Sequence, residues 1–115
     1  MQELIGSFKD IDWNTETKGV REKRLALDDV SIRLLEINDE LKHPDWCVTG
    51  HIGFVVEGSF VLDINGEERI LEKSDVFNVK DGIHSHRHKP KVIKGGRVLL
   101  LLVERLNPLP TDNKY

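Results

Sequence analysis

Alanine is nearly missing from this 115-residue chain; it occurs once, at Ala26. Helices draw heavily on alanine, the best helix former, so its scarcity counts against a helical domain. Valine and isoleucine, at eleven and nine residues, favour strands instead. Cysteine is also reduced to one residue, Cys47. That excludes an internal disulfide and an all-cysteine zinc site, and makes a reducing, cytoplasmic compartment the expectation. Long apolar runs are absent too. The longest, Val98 to Val103, is far too short to cross a bilayer. No basic stretch followed by an apolar one opens the chain, so no secretory signal is predicted. Aromatic residues make up 6%, the net charge is −3 and the pI is near 5.9. That profile speaks against a nucleic-acid binder.

What is present is turn chemistry between short β-branched runs. The length fits one domain. Met1 to Lys18 reads as an irregular arm with apolar anchors, and the tail from Asn107 to Tyr115 as loose. Ser31 to Ile37 alternates as a strand, with Ile32, Leu34 and Glu36 on one face and Arg33, Leu35 and Ile37 on the other. Trp46 to Ile64 is a long β-rich run broken only by single glycines, which mark bulges or close backbone approach. Asn65-Gly66 predicts a type I′ hairpin pairing Ser59–Ile64 with Glu67–Glu72. Val76 to Val79 is a further short strand; Ile83 to His88 reads as extended, and Lys89-Pro90 as its break. Arg97 to Leu106, apolar on both faces at its centre, is predicted to be buried on both sides. Many short strands with frequent turns predict an all-β, double-sheet jelly roll with its barrel core at 30–106.

On an extended strand, alternate residues share a face. His84, His86 and His88 would then point one way, and Cys47 and His51, four apart, would share a face of the central run. Imidazole and thiolate are good ligands for zinc, iron, manganese or nickel, so two such strands facing inward would form a mononuclear site with open positions. Against this stands the plainer reading of an exposed polar strand and a satisfied core histidine. Lys80 to Arg97 holds six Lys or Arg and one acid, Asp81. This is either a solvated face or a local anion-attracting patch.

The segment Gly50-His51-Ile52-Gly53-Phe54-Val55-Val56-Glu57-Gly58 resembles the first characteristic motif of the cupin superfamily. Leu71 to Phe77 and Val79-Lys80-Asp81-Gly82 are similar to the passages that follow it, and His84 to His88 stands where the second motif's histidine lies. The resemblance spans Val30 to Leu106. Aligned on the Glu-Gly corner, the usual His-x-His falls at Asp45 and Cys47 and the usual Glu at His51; Lys80 replaces a proline, and the trailing Asn is absent near Pro90. The pattern looks like a subgroup reading Cys-x-x-Gly-His-x-Gly with a later His86-Arg87-His88. The resemblance implies Cys47, His51 and His86 as pocket or metal groups, with Asp45, His84 and His88 behind them. Trp46 reads as core or as a pocket wall beside Cys47. It further implies a bound divalent transition metal, a small-molecule ligand and a homodimer. Two functions follow as expectations: a metal-dependent enzyme whose rim cations Arg87, Lys89 and Lys91 favour an anionic substrate, or a non-catalytic binding or sensing protein. Neither membrane nor nucleic-acid partners are expected.

Overall fold

In the computed structural model, which describes residues 4–82 and 86–106, the chain runs through seven strands and, among those residues, no helix. They are β1 (Val20–Leu27), β2 (Val30–Asn38), β3 (His51–Ile64), β4 (Glu67–Glu72), β5 (Val76–Val79), β6 (His88–Lys91) and β7 (Arg97–Arg105). All pairings are antiparallel. No helix here is long and apolar enough to cross a membrane.

β3 belongs to two sheets. Its first half lies between β5 and β7, and β7 continues through β2 to β1. Its second half lies between β4 and β6. The switch occurs where the β3–β7 register slips between Val55 and Glu57 and Gly58 takes φ +80°. This is the bulged corner that the Glu57-Gly58 pair announces. A bulge bends its strand and adds twist, which lets one strand serve both layers.

The inner faces of the two layers meet in a core of Leu35, Ile37, Val55, Val98, Leu100 and Leu102 against Phe60 and Leu62. Burying such a side chain contributes about 1.5–3 kcal/mol. Along β7 the buried residues are Val98, Leu100, Leu102 and Glu104, while Leu99, Leu101 and Val103 face outward and are half-buried. Burial of β7 on both faces, expected from its composition, is therefore corrected. The outer side of its sheet has no second layer among the described residues.

Asn65 and Gly66 sit at φ +52° and +95°, and Ser59–Ile64 pairs with Glu67–Glu72 as the turn requires. A Cβ on Gly66 would meet nothing within 4 Å. Gly66→Ala is thus expected to cost only the backbone term, about 1–2 kcal/mol, in urea denaturation. A larger loss would mean that something packs on the turn.

The expected break at Lys89-Pro90 is also corrected, since both residues lie inside β6, pairing with Asp63 and Leu62. The reason is orientation. Arg87 bonds back to Asn65 through its carbonyl, and His88 turns its N–H and C=O the other way, to Cys47. Pro90, in phase with His88, therefore points its missing donor away from β3, where an edge strand tolerates proline.

Candidate functional site

At one end of the space between the layers, polar side chains replace the apolar core. β7 brings in Glu104, one step beyond Leu102 in the inward phase. β2 brings Ser31 and Arg33, in phase with Leu35 and Ile37. β3 opens with His51, β6 with His88, and Cys47 pairs with His88 backbone to backbone at 2.7 and 3.0 Å. Gly53 lacks a side chain because the Phe77 ring occupies that space. Phe77 in turn stands edge-on to His51, with ring centroids 6.2 Å apart, and so walls the polar end off from the core.

The polar groups form one chain. Glu22 accepts from Arg33 Nε at 2.7 Å, and Arg33 Nη1 donates to Glu104 Oε2 at 3.3 Å. The same oxygen accepts from His51 Nδ1 at 3.0 Å. His51 Nε2 then meets His88 Nε2 at 3.0 Å, and His88 Nδ1 donates to the His86 carbonyl at 2.9 Å. The hydrogen bond from His51, joined by the charge of Arg33, holds Glu104 below the ordinary carboxylate range against the effect of burial. The His88 imidazole lowers the Cys47 thiol. Burial opposes a charge on His88, but Cys47 and the His86 carbonyl outweigh it and raise that imidazole. Ser31 Oγ is buried opposite Glu104 in register and has no hydrogen-bond partner among the described residues.

The tautomers follow from these partners. A carbonyl and an ionised carboxylate can only accept, so both Nδ1 atoms carry the hydrogens. In the neutral rings both Nε2 atoms then present lone pairs to each other across 3.0 Å. That arrangement is repulsive unless a cation, either a proton or a metal ion, sits between them. Two nitrogens bound at about 2.0–2.1 Å to one ion lie roughly 3 Å apart when the bonds meet near a right angle. A histidine whose other ring N–H is held by a carboxylate or carbonyl is the usual pre-oriented ligand. The pair therefore fits a divalent transition metal. No three His, Cys, Asp or Glu donors converge among the described residues; Cys47, beside His88, is the nearest further donor.

The sequence candidates divide accordingly. His51, His88 and Cys47 come together. His86 does not join them: its Nδ1 accepts the Lys80 backbone N–H at 2.9 Å. Ile83 to Ser85 lie outside the described residues; His86 and Arg87 are not in a strand and β6 starts at His88, so the two-residue alternation that would have aligned His86 with His88 does not apply between them. His84 lies outside the described residues. Asp45 is exposed. Trp46 lies under two cations, Arg87 Cζ at 4.3 Å and Lys89 Nζ at 4.4 Å from its ring. Arg87 and Lys89 are thus gathered on Trp46, whereas Lys91 turns to Glu68 at 3.6 Å. A cleft of about 560 Å³ lies elsewhere than this polar end. It opens beside the outer face of the β7 sheet and touches the cluster only at His51. The hydrogen-bonded chain decides where the chemistry lies, and a cleft's size does not.

No family model and no curated protein sequence matches the chain. Solved structures do. An RmlC-like cupin from Shewanella frigidimarina superposes with a TM-score of 0.71 at 16% identity, covering 97% of this chain and 98% of its own. The chain has the cupin fold. KdgF from a Halomonas species gives 0.67 at 23% identity over 88% of this chain and 94% of its own. The Fe(II) form of HppE with an alternative substrate gives 0.68 at 14% identity; 87% of this chain is covered but only 58% of that one. These likenesses fix the jelly roll, two sheets wrapped on a shared interior, and leave the residues at its polar end to be read on their own chemistry.

Proposed function

We propose that the polar end of this cupin fold is a divalent-metal site in an enzyme acting on a small, anionic molecule. The observation that carries the reading is the meeting of two Nε2 lone pairs at 3.0 Å, each ring fixed by its Nδ1 partner. His51 and His88 would hold the ion, with Cys47 as the nearest additional donor. Zinc, iron, manganese and nickel all accept imidazole, and iron in the similar HppE structure supports the choice. When bound, such an ion acts as a Lewis acid and lowers the pKa of a coordinated water. The chain's own groups do the rest. Glu104 holds His51 in its Nδ1–H form, the His86 carbonyl does the same for His88, and Phe77 excludes water from below. Arg87 and Lys89 over Trp46 present positive charge where a negative ligand would enter. The single free thiol fits a reducing, cytoplasmic setting.

Elemental analysis of untagged protein tests this, beside His51→Ala, His88→Ala and His86→Ala variants. Near-stoichiometric metal is expected in wild type and in His86→Ala, with loss of at least tenfold in affinity in the other two. Cobalt substitution is expected to give a thiolate charge-transfer band that Cys47→Ser removes. Wild type that takes up no metal after reconstitution overturns the reading and leaves a proton as the shared cation. Metal retained in both His51→Ala and His88→Ala overturns the ligand assignment. Full metal without turnover on any anionic metabolite favours a binding or sensing role instead.

A further inference from the structure

Register sets out the inner face of the β1-β2-β7-β3 sheet in rows. Ala26, Ser31 and Glu104 stand side by side on β1, β2 and β7. His51 continues that row on β3, one step beyond the Ile52–Val103 pair. Arg24 and Arg33 are partners in the neighbouring row, on β1 and β2. At its β3 side the row is closed, since Glu104 and His51 are both buried. At its β1 side, among the described residues, it is open. Arg24 and Ala26 share the inward phase of Glu22, yet both are exposed. The N-terminal arm lies on the other face, where a side chain on Gly6 would touch Leu25 and Leu27.

Two groups beside this opening take no part in the hydrogen-bonded chain that ends at His88. Arg24 stands 3.7 Å from Glu22 Oε1, too far for a good hydrogen bond, and Glu22 already accepts from Arg33 at 2.7 Å. The charge of Arg24 still acts inward: after His51 and Arg33, it is a further cause that holds Glu104 below the ordinary carboxylate range. Ser31 is 2% exposed, and its Oγ has no hydrogen-bond partner among the described residues. A buried hydroxyl left unpaired is costly and uncommon. Here it stands between the strand of Arg24 and Glu104.

Charge says what such a place takes. Arg24 and Arg33 balance Glu22 and Glu104, so a divalent ion on His51 and His88 leaves this interior positive, and an anion restores neutrality. Arg24 and Ser31 together offer one positive charge, a planar fork of N–H donors and one O–H donor. A carboxylate is planar and singly charged. It matches the fork in bidentate fashion and accepts the hydroxyl hydrogen as well. A phosphate dianion leaves a charge and an oxygen unmet. β1 and β3 are three strand spacings apart, about 14 Å between backbones. Side chains reaching in from both strands narrow that gap to the length of a small organic acid. We infer that Arg24 and Ser31 seat the carboxylate of a small organic acid whose other end reaches His51 and His88. This rests on the reading of the polar end as a metal site and names the ligand class it takes.

Cobalt-loaded protein titrated with acetate, malonate, succinate and citrate tests it, each beside its neutral amide, with inorganic phosphate as a further control. Saturable binding of at least one carboxylate is expected, seen in the cobalt absorption spectrum and as a shift of the Arg24 side-chain Nε resonance. Its amide and phosphate are expected to bind at least tenfold more weakly. Arg24→Gln is expected to weaken carboxylate binding at least tenfold with metal content unchanged, and Arg24→Lys to weaken it less. Arg21→Gln, on the same strand but in the outward phase, is expected to have no effect on binding. Ser31→Ala is expected to weaken binding severalfold without lowering the urea midpoint, since no internal hydrogen bond is lost. Metal-loaded protein that binds none of the carboxylates, or binds them as tightly in folded Arg24→Gln, overturns the proposal and leaves the metal site standing. Phosphate bound more tightly than every carboxylate overturns the ligand class. Protein that takes up no cobalt overturns the metal reading instead, and the Arg24 Nε shift with the same carboxylates then decides the seat by itself.

Discussion

Glu104→Ala is expected to destabilise the metal-free protein by about 3–5 kcal/mol, the usual result of removing one member of a buried charged set. Glu104 Oε2 is the single acceptor for both Arg33 Nη1 and His51 Nδ1. Without it, His51 loses its Nδ1 acceptor. Arg33 keeps Glu22 at 2.7 Å, which puts the loss toward the lower end of the range. Glu104→Gln keeps the shape and one acceptor oxygen and is expected to cost less. It is also expected to weaken metal binding by about 10–100-fold, because a second partner of a ligand histidine is typically worth that much.

Acid provides an independent handle on the same carboxylate. Its folded pKa lies below the ordinary value, so its contribution is complete above the unfolded carboxylate pKa of about 4.3. The contribution is lost as the pH falls through the folded value. The stability gap between wild type and Glu104→Gln should therefore narrow below about pH 4 and stay constant from there to neutrality as far as this group is concerned. Urea midpoints with unchanged m-values measure both effects. A Glu104→Ala loss under about 1 kcal/mol would mean that the chain of ion pairs does not exist in solution.

The fold was readable because its signals are local. Asn65-Gly66 demands two positive φ angles, and the Glu57-Gly58 corner and the alternation in Ser31–Ile37 each depend on neighbours in sequence. The site was less readable because it depends on phase. His86 and His88 share a face only if both are in a strand, and the strand starts between them. Arg33 was placed on the face with Leu35 and Ile37, which proves to be the inner one. The same phase argument applied to Val98, Leu100 and Leu102 reaches Glu104, yet a carboxylate at the end of an apolar strand carries no local mark of its partner. That partner, His51, lies fifty-three residues away. What joins them is the pairing of β3 with β7, a long-range fact. The outer apolar face was likewise taken for buried surface because composition reports apolarity and not what covers it.

The corner glycine carries the other large effect. Gly58→Ala is expected to cost at least about 3 kcal/mol, of which the left-handed backbone at φ +80° supplies only about 1–2. The remainder comes from contact. A Cβ at this position would land on the carbonyl oxygen of Arg97, well inside van der Waals distance, and 3.1 Å from Val98 Cα. Both obstacles are backbone, so no side chain can rotate away; β3 and β7 must separate. β7 is the central strand of its sheet, and the residues it holds inward are Val98, Leu100, Leu102 and Glu104. Separation at Gly58 thus loosens the core and displaces the acceptor of His51 together. Against a total stability of about 5–15 kcal/mol for a domain, this variant is expected to be largely expanded at 37 °C. Asn separates the two causes. It tolerates a left-handed backbone better than Ala does but carries the same Cβ. If contact dominates, Gly58→Asn and Gly58→Ala should fall together, far below Gly66→Ala, whose Cβ meets open space. If Asn instead restores most of the loss, strain dominates and the strands are not as close at the corner as this geometry requires.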